Sequence, residues 1–72
     1  MTTVMWEARA ANDRLDDLVA HVLAHADAAA DVYRSGDGRV VVIDPSGRGV
    51  GEVPGELVAR PPHVWAFDPV AR

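Results

Sequence analysis

Four β-branched residues in a row, Val40-Val41-Val42-Ile43, constrain this chain more than any other stretch. Side chains alternate between the two faces of a strand, so a run that is apolar at every position asks for cover on both. The chain has 72 residues and one long amphipathic pattern, which supplies one helix and therefore one cover. A domain of this size buries only about 60% of the surface of its unfolded chain. Small domains commonly add disulfides, a metal or a partner chain. The sequence contains no cysteine, which excludes disulfides and thiolate metal sites. Self-association is then the most economical source of further burial.

Before the valine run, Thr3 to Arg9 alternates, with Val4, Trp6 and Ala8 on one side and Met5, Glu7 and Arg9 on the other, as in a strand. "AAND" follows, and Asn12 or Asp13 is expected to cap a helix by accepting from its free N–H groups. Asp13, Asp16 and Asp17 add negative charge where the helix dipole favours it. Leu15, Leu18, Val19, Val22, Leu23 and Ala26 recur at spacings of three and four and form one apolar stripe. The alanine run after His25 carries no firm stop signal, so the helix is expected to end between Ala26 and Ala30.

Gly36-Asp37-Gly38, between Val32-Tyr33 and the valine run, reads as a hairpin turn. "DPSGRGVGEVPGE" is a polar, glycine-rich connection, and Pro54 to Ala59 suits a single helical turn with Pro54 at its start. Pro61-Pro62 forces an extended segment. His63 to Phe67 is the last strand, ended by Pro69. Its alternation sends His63, Trp65 and Phe67 to one side, and Val64, Ala66 and Asp68 to the other.

The order strand, helix, strand, strand, short turn of helix, strand predicts a single α+β domain over residues 1–72 with a ferredoxin-like βαββ(α)β arrangement. The first and third strands are expected in the middle of a four-stranded antiparallel sheet, which agrees with the doubly apolar Val40–Ile43 run. A right-handed crossover lays the long helix on one face. The other face then holds Met5, Val41 or Val42, and His63, Trp65 and Phe67, depending on register, and remains for dimerisation.

"VMWEARAANDRLDDLVAHVLAH" resembles the opening of the dimeric α/β-barrel proteins, which include the antibiotic-biosynthesis monooxygenase-like group. The resemblance implies ferredoxin-like subunits packed sheet against sheet. One departure bears on activity: family members carry a full second helix that walls a substrate cavity, whereas Pro54–Arg60 offers at most a stub. No catalytic signature of the group matches residue by residue.

Charge narrows the partners. The formal net charge is −4, and the seven basic residues are all Arg, scattered without a basic stripe. Nucleic acid and anionic membrane are therefore poor partners. No apolar run approaches the ~20 residues of a membrane helix. "MTTVMWEARA" lacks the basic segment and apolar core of a signal peptide, so a cytoplasmic protein is expected.

His21 and His25 have a chelating spacing but no H-E-x-x-H context. They read as boundary histidines, with Asp17 within helical reach of His21. "SGRGVG" is similar to a phosphate-cradling loop, yet no Lys exists and no full helix follows, so it reads as a mobile loop. Ser35 and Ser46 have no nucleophile-elbow context. No cofactor or metal is implied.

What remains is aromatic. His63, Trp65, Phe67, Trp6 and Tyr33 are the candidate ligand or interface residues. Such side chains line small apolar ligand pockets and subunit interfaces alike, and a chain with one main helix favours the interface. Trp6 shares parity with Val4 and Ala8 and is expected against the helix. The expected role is a homodimeric interaction or small-ligand-binding module with no catalysis evident. The alternative is a cofactor-independent oxygenase or isomerase acting on a small aromatic or polyketide-like molecule. That reading places the substrate between sheet and helix, with His63 or His25 transferring a proton.

Overall fold

The computed structural model describes residues 2–72. Strand β1 covers Thr3–Arg9, helix α1 Leu15–His25, β2 Asp31–Arg34, β3 Arg39–Asp44 and β4 His63–Phe67, with a single 3₁₀ turn at Gly55–Leu57. The sheet is antiparallel throughout, in the order β2-β3-β1-β4, which sets β1 and β3 in the middle. This compact α+β arrangement is consistent with a ferredoxin-like fold. Among the described residues, no helix is long and apolar enough to cross a membrane.

Alternation along β1 and β3 builds the core. Trp6 and Ala8 on β1, with Val40 and Val42 on β3, are buried together with Leu18 and Val22 of α1, and Val4 is buried beside Gly49 of the later loop. Leu15, Val19 and Ala26 pack at the margin of this cluster. Leu23, expected in the same stripe, is instead 63% exposed. It lies at the edge of the stripe, beyond the reach of the sheet.

The start of α1 also departs from expectation. Neither Asn12 nor Asp13 caps it; Arg14 holds the cap position without a side-chain bond. Asp13 adopts a left-handed φ of 62°, a conformation that Asp tolerates better than most residues. The chain leading into the helix is tied by backbone bonds: Arg14 N–H donates to the Ala11 carbonyl at 3.0 Å, and Ala11 N–H donates to the Leu57 carbonyl at 2.9 Å. The helix ends at His25, and Ala26 N–H closes on the Val22 carbonyl. Asp27 then starts a turn by accepting from Ala29 N–H at 2.9 Å, which stops the helix before the alanines.

The glycine-rich connection is tied down rather than mobile. Asp44, at the end of β3, is fully buried. Its Oδ1 accepts from Ser46 N–H at 2.8 Å and from Ser46 Oγ at 2.6 Å, and its Oδ2 accepts from Gly49 N–H at 2.7 Å. Gly49 has a φ of +70°, and its Cα side lies against Val4, where an added Cβ would sit 3.6 Å from Cγ1. The loop thus folds back over β1 and delivers Val50 and Leu57 into the core. Burial raises the Asp44 pKa, but the Ser46 hydroxyl and the backbone N–H groups of Gly49 and Ser46 outweigh it and hold the carboxyl below its ordinary value.

A carboxylate with a depressed folded pKa stabilises the protein above the ordinary Asp value of 3.8 and loses that contribution as pH falls through the folded pKa. Urea unfolding of the wild type should therefore show stability falling as pH drops below about 4. Asp44→Ala leaves three donors without their acceptor and is expected to cost about 2–4 kcal/mol at neutral pH. Its stability should fall less steeply in acid than that of the wild type.

Candidate functional site

Directly opposed residues of an antiparallel pair share a face, so the register decides what the side away from α1 presents. Met5 pairs with Ile43 on one side and with Trp65 on the other. Glu7 pairs with Val41 and with His63. On the outer strand, Tyr33 stands opposite Val41. Met5, Val41 and Ile43 are therefore on the side of His63, Trp65 and Phe67, and Val42 is on the helix side. Four of the five candidate residues come together here. Tyr33, Trp65 and Phe67 are 57%, 43% and 53% exposed.

Trp6 lies apart from the other candidates. It is 2% exposed in the core, on the opposite side of β1, where its indole is unavailable to a ligand or to another subunit.

Strand β4 is unusual on both of its sides. All five of its residues are exposed, including Val64 at 60% on the helix side. Helix α1 packs over β2, β3 and the 3₁₀ turn, and the turn is too short to extend the cover to β4. β4 is held by its pairing with β1, a Thr2 Oγ1–Asp68 hydrogen bond of 3.2 Å and a Glu7–His63 contact.

That last contact lies within the apolar part of the face. Glu7 Oε1 is 3.8 Å from His63 Nδ1, and the Glu7 side chain is 17% exposed. His63 in turn meets the Trp65 ring edge-on, with centroids 5.5 Å apart. At one end of the face, Arg9 and Arg39 oppose each other, and Asp37 separates them at 3.6 and 3.5 Å. A hydrogen bond from the Ser35 hydroxyl, followed by the Arg39 and Arg9 guanidiniums, holds the Asp37 carboxyl below its ordinary range. These two arginines share one carboxylate within the chain.

The remaining histidines are elsewhere. His21 and His25 stack with centroids 4.1 Å apart. Each uses a ring N–H on a backbone carbonyl: His25 Nδ1 donates to His21 O at 2.8 Å, and His21 Nε2 donates to Glu52 O at 3.3 Å. Asp17, expected near His21, pairs with Arg14 at 2.8 Å instead. Among the described residues, no three His, Asp or Glu side chains gather as a metal site.

The space between helix and sheet is occupied by Trp6, Leu18, Val22 and Val42, all buried. Neither His25, exposed on α1, nor His63, on the far side of the sheet, projects into it. A depression of about 330 Å³ exists around Pro62–Trp65, open to solvent at the outer edge of β4. The glycine loop offers no phosphate cradle, because the N–H groups of Ser46 and Gly49 already hold the Asp44 carboxylate. Its anion is part of the chain.

No family model, curated protein or solved structure matches this chain. The site is therefore read from its own geometry. Glu7 is the member that the aromatic pattern did not single out, although its parity with Met5 places it on this face.

The two tryptophans should behave as opposites. In dilute protein, Trp6→Ala is expected to cost about 3–5 kcal/mol or to abolish folding. Trp65→Ala should change the stability of the isolated subunit by less than about 1 kcal/mol. Urea denaturation followed by circular dichroism separates the two.

Proposed function

We propose that this protein is a homodimeric interaction module whose two sheets pack face to face through the surface of Met5, Tyr33, Val41, Trp65 and Phe67. The observation that carries this reading is β4, an apolar strand whose every side chain is exposed in the single chain. Apolar surface of this kind is stabilised by removal from water.

Area supports a partner chain as the occupant. The subunit exposes 4867 Å². A folded monomer of 7.7 kDa is expected to expose about 4,300 Å². The excess of the whole subunit, about 570 Å², is more than half of the ~800 Å² that each partner buries in a standard interface. The face also carries charges of both signs, Glu7 and Asp31 beside Arg39 and Arg9, so it is suited to meet a copy of itself. The resemblance of the first strand and helix to dimeric α/β-barrel proteins points the same way.

Sedimentation equilibrium over a wide concentration range tests the proposal. A dimer is expected, and Trp65→Ala or Phe67→Ala should each weaken it at least about tenfold, as for aromatic anchors at interfaces. Leu23→Ser, on the outer side of α1, should leave the dimer unchanged. A wild type that stays monomeric at all concentrations overturns the proposal. A dimer that ignores Trp65→Ala and Phe67→Ala moves the interface elsewhere, and the aromatic face then falls to a small apolar ligand.

A further inference from the structure

We infer that assembly through this face is gated by protons at the Glu7–His63 pair. The inference rests on the face-to-face reading above and adds a regulation to it. Glu7 projects from the central strand β1 and is only 17% exposed before any partner arrives. Across the face its neighbours are Val41 and Tyr33 on one side and His63 on the other, with Met5 two residues back along the strand. A second sheet laid on this surface removes the remaining water from the Glu7 carboxylate. An unpaired buried charge is strongly unfavourable, whereas a paired one is tolerated.

The charged groups that face Glu7 are few and mostly committed. From β3, Arg39 contacts Asp37, and from β1 itself Arg9 contacts the same carboxylate and donates to the Asp37 carbonyl at 2.8 Å. From β2, Asp31 is acidic and stands opposite Ile43, and Tyr33 is neutral. From β4, His63 is the cationic partner at 3.8 Å. Protonated, it completes an ion pair; neutral, it leaves Glu7 without a direct ionic contact, since Arg9 and Arg39 both lie against Asp37. Histidine is the side chain whose charge changes between pH 5 and 8, so a dimer that needs both pairs takes up as many as two protons as it forms.

The test is the dimer dissociation constant by sedimentation equilibrium at pH 6 and pH 8, for the wild type, Glu7→Gln and His63→Gln. The wild-type dimer is expected to weaken at least about tenfold at pH 8. Glu7→Gln removes the charge that requires a partner, so its dimer should be insensitive to pH and tighter than the wild type at pH 8. His63→Gln should dimerise weakly at both values. The His21→Gln, His25→Gln double variant should keep the wild-type pH response. A wild-type dimer equally tight at pH 6 and 8 overturns the gating while leaving the dimer in place. So does a pH response that persists in Glu7→Gln. A chain monomeric at both pH values, in every variant, overturns the dimer itself and the gating with it.

Discussion

One helix against four strands is the constraint from which the rest of this structure follows. Helix α1 has 11 residues and is about 16 Å long, so it lies across part of one side of a sheet roughly 15–20 Å wide. Beneath it the core is complete: Trp6, Leu18, Val22, Val40 and Val42 are buried together. Away from it, β4 lies outside the helix cover, and all five of its residues are exposed. The other face presents Met5, Val41 and Ile43 half-buried, with Tyr33, Trp65 and Phe67 beside them more exposed. Small size and missing cysteines leave no cross-link to compensate. The uncovered surface is thus a consequence of how little chain there is.

Asp44 does the work that a second helix would otherwise do at the top of β1. A fully buried carboxylate is costly unless every oxygen is satisfied, and here two N–H groups and one hydroxyl satisfy it. In return the loop after β3 is held over Val4, and Val50 and Leu57 reach the core. The same bonds that fix the loop consume the donors that a phosphate would need. A glycine-rich sequence therefore serves a structural role, and those donors hold the Asp44 carboxyl below its ordinary value.

The functional proposal depends on a different kind of charge. Glu7 occupies an apolar setting with a titratable partner, and it is accessible to a second copy in a way that Asp44 is not. Buried polar pairs at an interface fix register and discriminate between partners more than they add affinity. A histidine in that position links the discrimination to pH. In the proposed dimer the aromatic side chains around it supply area, while the Glu7–His63 pair sets the condition under which the area is used.

By itself, the sequence determined the order of elements, the ends of β1 and β4, and which side chains of each strand travel together. These follow from local alternation, proline placement and helical spacing, which act over a few residues. The separation of Trp6 from Trp65 belongs half to this level, since parity within β1 already grouped Trp6 with Val4 and Ala8. Only the tertiary structure decided that Met5, Val41 and Trp65 share a face. Register is a relation between strands distant in the chain, and a slip of one residue exchanges the two faces. Two local signals also gave way in the folded chain: Leu23 is exposed rather than packed on the sheet, and Arg14 rather than Asn12 or Asp13 holds the cap position of α1. The burial of Asp44 was equally invisible from sequence, because an Asp-Pro-Ser-Gly stretch looks the same whether its carboxylate faces water or three donors of a loop folded back upon it.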